Sequence, residues 1–354
     1  MSGFVSGLEL SRAFYVGVVA PLVGDVPHAA GLLGWGSDVL GFDTVRSTDH
    51  GWGPRLQVFV AAEHVGRLRG VIEAELPNTF RGWPTRFGWD AEPVAHHVEI
   101  APLDEWFRSR LGFNPCEGVT IQSWLSTPQQ ALLEITAGAV FRDDAGELTA
   151  AREALAWYPD DVWLWLLACQ WRRIDQEEPF VGRTAEVGDD LGSRVIAARL
   201  VRDLMRLSFL LERRYAPYSK WLGSAFAQLD AHRDIGAPLA DVLGADSYES
   251  REASLVAAVE ALAARHNELG ITPPVDATVR LFHGRPFRVL GSGRFVDACL
   301  ARVTDPWLKS LPLVGAIDQF ADSTEVLSSS YSERFRALGK HLRELGEPVT
   351  TPLL

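Results

Sequence analysis

The chain has 354 residues, 47% of them hydrophobic and 23% charged, with a formal net charge of −12. That length and apolar fraction allow a sizeable core and two domains, while the acidic balance argues against sequence-independent binding to nucleic acid, which relies on Lys and Arg neutralising phosphates. Cys116, Cys169 and Cys299 lie far apart without CxxC or Cys/His ligand spacing, which excludes a disulfide framework or zinc-ribbon pattern and points to a reducing, cytoplasmic setting.

In chain order, Leu8, Phe14, Tyr15, Val18, Val19 and Leu22 recur at helical spacing rather than in a signal-peptide layout, predicting an amphipathic helix. Two β-type runs follow, Leu56 to Ala61 and His97 to Ala101, within a region dense in Gly and Pro. From about Thr127 the periodicity becomes helical, with segments predicted at 127–140, 147–156, 161–174, 188–214, 218–233, 250–268 and 331–345, and a loose tail at 346–354. Thr127-Pro128, Pro159-Asp160-Asp161 and Ala216-Pro217 punctuate those segments. The expected fold is α+β, a mixed-sheet domain over 1–113 followed by a mainly helical domain over 114–354. The apolar run Val162 to Trp171 is about half the roughly 20 residues that span a bilayer, so no membrane segment is expected.

Chemistry concentrates in Leu32-Leu33-Gly34-Trp35-Gly36-Ser37 and, after eleven residues, Asp49-His50-Gly51-Trp52-Gly53. This pair resembles the opening active-site motif of polymerase-β-type nucleotidyltransferases. There a strand ending in Gly-Ser precedes Asp-x-Asp on a second strand, and the two carboxylates hold Mg²⁺ and a nucleoside triphosphate. Such transfer needs two or three carboxylates, because divalent cations must bridge the triphosphate and neutralise developing charge. Residues two apart on a strand share a face, and in this chain position 51 is glycine. Asp43 or Asp38 could replace the absent ligand, His50 could coordinate through a bulge, or transfer chemistry could be lost. Glu99, set between β-formers in His97-Val98-Glu99-Ile100-Ala101, resembles the Leu-Glu-Val-type strand of aminoglycoside adenylyltransferases, whose Glu is a general base or metal ligand.

Lysine occurs only at positions 220, 309 and 340. Lys220 sits in Tyr215-Ala216-Pro217-Tyr218-Ser219-Lys220-Trp221, a turn-to-helix junction rich in donors. Related two-domain nucleotidyltransferases place a Lys and an aromatic hydroxyl from the helical domain on the triphosphate, which by resemblance implies Lys220, with Tyr218 and Ser219 in support. Arg199, Arg202 and Arg206 share a helix face, read by default as salt-bridged, with Asp203 available to Arg199. The Trp-rich segment 157–171 is read mainly as core.

Gly36-Ser37-x-Val39-Leu40-Gly41-Phe42-Asp43, Ser47-Thr48-Asp49-His50, Trp157-Tyr158-Pro159-x-Asp161-Val162-Trp163 and Tyr215 to Trp221 look like the DUF4037 family of uncharacterised bacterial proteins across nearly the whole chain. Many relatives carry Asp-His-Asp where this chain has Asp49-His50-Gly51. The resemblance implies a nucleotidyltransferase-like domain plus a helical domain but no known substrate; the motif spacing and two-domain layout lead to the expectation of an enzyme moving an NMP from an NTP to the hydroxyl of a small-molecule acceptor with Mg²⁺. In that scheme Asp49 and Glu99 are catalytic, Asp49, Glu99 and Asp43 hold metal, and Gly36, Ser37, Tyr218, Ser219 and Lys220 bind nucleotide. The other readings are a nucleotide-binding or sensing protein without transfer, and nucleotidylation of a protein or tRNA.

Overall fold

The computed structural model describes residues 4–90 and 92–327, which divide into two units. The first gathers residues 4–123, 127–156 and 325–327, and the second gathers 124–126 and 157–324. The first unit extends past position 113, where sequence alone puts the boundary, because the strand Ala139–Asp143 pairs with the first strand of its sheet. The helix expected over 127–140 accordingly stops at Thr136.

The first unit is a five-stranded mixed sheet. Its strands are β1 (Ala29–Leu32), β2 (Arg55–Phe59), β3 (Arg86–Trp89), β4 (Glu92–Ala101) and β5 (Ala139–Asp143), in spatial order β3-β4-β2-β1-β5. β1 runs antiparallel to β2 and β5, while β2 and β4 are parallel and connected through the helix α2 (Ala62–Glu75). Strand alternation divides β2 cleanly. Leu56 and Val58 join Val98, Ile100 and Ala30 in a core closed by Phe14 and Val19 of the N-terminal helical segment (α1, Gly7–Phe14, and its continuation) and by Leu68 and Ile72 of α2. Arg55, Gln57 and Phe59 take the other face, beside His97 and Glu99 of β4 in register. The α3 helix (Leu103–Leu111) meets that face, where Trp106 packs edge-on against Phe59.

The second unit is built on α4 (Asp160–Glu186), a 27-residue helix that begins after Pro159, with Asp160 and Asp161 in its first turn. The apolar run expected to be core is its first half, and Trp163, Trp165 and Trp171 are all buried. No helix among the described residues is long and apolar enough to cross a membrane. The partner helix α5 (Asp190–Leu211) locks onto α4 by polar bonds inside the interface: Trp163 Nε1 donates to Leu210 O at 2.7 Å and Gln170 Nε2 to Asp203 O at 3.0 Å. The arginines of α5 are paired as the default reading has it, Arg199 with Glu177 and Arg202 with Asp322, although Asp203 takes Arg173 of α4 rather than Arg199. Further helices follow at Ser219–Phe226, Ala231–Gly244, Tyr248–Glu268 and Gly293–Arg302. The helix expected over 331–345 and the tail over 346–354 lie outside the described residues.

His266 shows how tightly this unit specifies protonation. It is fully buried; Trp171 Nε1 donates to its Nδ1 at 3.3 Å, which leaves Nε2–H to donate to Thr272 Oγ1 at 3.1 Å. Nδ1 must stay unprotonated to accept that bond, and burial pushes the imidazole pKa down to about 4. A His whose folded pKa lies below its unfolded value of about 6.5 favours folding fully above pH 6.5, and that contribution is lost as pH falls toward 4. Denaturant titration at pH 7 and pH 4.5 should show a loss on the order of 3 kcal/mol from this group. His266→Gln should remove that part of the pH dependence; an unchanged pH profile in the variant contradicts the assignment.

Candidate functional site

Arg55 opens β2 and is the residue around which the site is arranged. Its side chain is 4% exposed and meets Asp38, 2% exposed, in a two-point contact: Nη2 to Oδ1 at 2.5 Å and Nε to Oδ2 at 3.1 Å. Nη2 also donates to Trp35 O at 2.6 Å, and the guanidinium lies 4.4 Å from the centre of the Trp35 ring. Gly36, with φ +125°, accommodates this packing, since a Cβ there would overlap Arg55 Nη2 and Asp38 Oδ1. The Gly36-Ser37 turn is therefore shaped to its own ion pair, with Ser37 starting a four-residue helical turn through Leu40.

Two residues further along β2 and on the same face, Gln57 is 6% exposed, and its Oε1 accepts from Leu33 N at 2.9 Å. Parallel register sets Gln57 beside Glu99 and Arg55 beside His97. Glu99 Oε2 lies 3.4 Å from Arg110 Nη2 of α3. The His97 ring packs 4.2 Å from Phe87 and 5.1 Å from Trp89, and its Nε2 lies 2.9 Å from Phe87 O. Burial lowers the His97 pKa, so the ring stays neutral at pH 7, with Nε2–H donating to that carbonyl. Trp35, Arg55, Gln57, His97 and Glu99 line one cavity of about 220 Å³. It combines aromatic walls with a few convergent polar groups, the usual make-up of a small-molecule site.

The residues expected to hold metal are dispersed. Asp49 is exposed and ends a 3-10 turn, Val45–Asp49, which Thr44 and Ser47 cap reciprocally; it does not lie on a strand. His50 pairs with Asp90 at 3.2 Å, both well exposed. Asp43 Oδ2 accepts from Gly7 N at 2.6 Å and from Trp52 Nε1 at 3.0 Å, a bond set that ties α1 to the loop. Asp38 is committed to Arg55. Among the described residues no group of three or more His, Cys, Asp or Glu side chains could hold a metal ion, so the donor set does not fit a two-ion centre. Gly51 has a structural reason to be glycine: its φ is +62° and a Cβ would come within 2.8 Å of the Trp35 ring.

Lys220, Ser219 and Tyr218 belong to the second unit. Tyr218 precedes the helix Ser219–Phe226, Ser219 and Lys220 are exposed, and Lys220 Nζ stands 4.9 Å from the centre of the Trp221 ring. Of the expected site residues, Glu99 lines the cavity, while Gly36 packs against Arg55, which does. Arg55 and Gln57 are absent from the sequence-based list. The signal for them is the alternation Arg55-Leu56-Gln57-Val58-Phe59, whose polar pair has the same i, i+2 spacing as the sought Asp-x-Asp.

Residues 124–222 match the family described as a domain of unknown function, DUF4037. That segment contains the Trp157–Trp163 and Tyr215–Trp221 blocks and excludes the region from Gly36 to Asp49. No curated protein matches the chain. Among solved structures, the chain is similar to a nucleotidyltransferase-like protein from Exiguobacterium sibiricum with a TM-score of 0.32 and 11% identity, over 78% of this chain and 82% of that one.

Two substitutions check this geometry. Asp38→Ala leaves Arg55 buried without its counter-charge and should cost about 3–5 kcal/mol in urea denaturation. Gly51→Asp, which writes the missing carboxylate back into the motif, should cost about 1–3 kcal/mol from strain and the clash with Trp35, and calorimetry should detect no Mg²⁺ binding. A Gly51→Asp protein that binds Mg²⁺ without losing stability contradicts the placement of this turn.

Proposed function

We propose that this protein is a nucleotidyltransferase-like ligand-binding protein that takes a nucleotide on the open face of its sheet without a two-metal centre. The observation that carries this reading is the cavity over β2 and β4, where Trp35 and His97 offer aromatic surface and Gln57 and Glu99 offer hydrogen-bonding groups. Stacking of a base on an aromatic side chain contributes about 1–3 kcal/mol, and polar groups held by strand register supply orientation. The spacing-two pair on the second strand is Arg55-x-Gln57, and neither residue is a carboxylate. Transfer chemistry of the two-ion kind needs ligands that these positions do not supply.

The test is isothermal titration with ATP, CTP, GTP and UTP, in Mg²⁺ and again in EDTA. At least one nucleotide should bind, with a dissociation constant that changes less than about threefold when Mg²⁺ is removed. Pyrophosphate release in the presence of hydroxyl acceptors should stay at background. Absence of all binding refutes the reading, as does Mg²⁺-dependent pyrophosphate release that disappears in Glu99→Gln.

A further inference from the structure

The cavity over β2 and β4 is lined by two side chains that each keep a donor without a partner among the described residues. Gln57 is held so that Oε1 accepts from Leu33 N. This bond fixes the amide, because only the oxygen can accept, and its Nε2 is left toward the cavity with no partner among the described residues. Arg55 spends Nε and Nη2 on Asp38 and Trp35, and its Nη1 likewise has no partner among the described residues. Both side chains are more than nine-tenths buried. Residues at i and i+2 on a strand share a face, so both side chains line the same cavity. Neither nitrogen is among the fully buried atoms that lack a partner, so both are reachable from the cavity and free to donate to a ligand that enters it.

Charge narrows the ligand. Arg55, which lines the cavity, is neutralised by Asp38, and Arg110 of α3, outside the lining, lies against Glu99, so each cation is balanced locally. Such a site has no surplus positive charge with which to hold a triphosphate. Beside the donors, in register with Gln57, is the Glu99 carboxylate, an acceptor that is still 40% exposed. The complementary edge therefore carries an acceptor with two lone pairs next to an N–H. A carbonyl oxygen has two lone pairs and can take both Arg55 Nη1 and Gln57 Nε2, whereas a ring nitrogen has one and strands a donor.

Resting on the nucleotide-binding reading above, we infer that the cavity holds the base rather than the phosphates, and that it selects an oxo-heterocycle whose C=O neighbours an N–H. Guanine, hypoxanthine and uracil present that edge. Adenine has no carbonyl, and in cytosine the carbonyl is flanked by a ring nitrogen acceptor that would face Glu99. The edge lies with its oxygen on Arg55 and Gln57 and its N–H on Glu99, with Trp35 or His97 against its plane.

The experiment is titration calorimetry in EDTA with guanosine, inosine, uridine, adenosine and cytidine, and with the corresponding mono- and triphosphates. At least one oxo-nucleoside should bind ten times or more tightly than adenosine and cytidine, and added phosphates should change its affinity less than about threefold. Gln57→Glu keeps an oxygen for Leu33 N but removes the donor, and should weaken the preferred nucleoside at least tenfold. Glu99→Gln, at an exposed side chain, should reduce discrimination against adenosine, and it supplies the mutational result should Gln57→Glu not fold. Binding of triphosphates alone, equal binding of adenosine, or unchanged selectivity in Glu99→Gln overturns the inference and leaves nucleotide binding standing. Failure of every nucleoside and nucleotide to bind overturns both.

Discussion

The ion pair between Asp38 and Arg55 is the constraint on which the first unit's open sheet face depends. Removing two charges from water is expensive, and the mutual attraction offsets it only when geometry and hydrogen bonding are both good. Both conditions are met here: a two-point contact, a third bond to Trp35 O, and an aromatic ring under the guanidinium. The turn before it follows from the same requirement, since only glycine at position 36 leaves room for the pair. Arg55 in turn sets the first residue of β2, and from that residue the alternation of core and cavity side chains runs along the strand.

The consequence for chemistry is an exchange of one binding principle for another. Divalent cations recruit a triphosphate through clustered carboxylates. Here the face beside β2 carries the Asp38–Arg55 and Glu99–Arg110 pairs with a neutral amide and imidazole, and in the proposed reading these select a ligand by shape and hydrogen-bond pattern. Gln57 illustrates this: one end of its amide is spent on Leu33 N, and the other is thereby aimed at whatever enters.

Much of the architecture was legible in local pattern. The N-terminal helix, the strand containing Glu99, the helices beginning near 147, 160, 190, 219 and 248, and the burial of Trp163, Trp165 and Trp171 all follow from periodicity, prolines and caps that act within a few residues. The helix Ala231–Gly244 was missed over most of its length, because Pro238 and two glycines mask its periodicity. The span 139–143 was misread because its β character comes from pairing with β1, more than a hundred residues away in sequence. The candidate site was legible only in outline. Glu99 was placed on a strand by its neighbours, while Asp49 was placed on one by motif spacing and is found on a capped 3-10 turn.

Sequence by itself determined the α+β order of elements, the helical character of the second half and the presence of a Gly-Ser turn after the first strand. Tertiary structure decided which residues that turn serves. Where a strand begins is set by hydrogen bonds to distant partners, and a slip of one residue exchanges its two faces. Pairing of Arg55 through Phe59 with His97 through Ala101 starts β2 at Arg55, six residues after Asp49, and so carries Arg55 and Gln57 rather than any aspartate onto the open face.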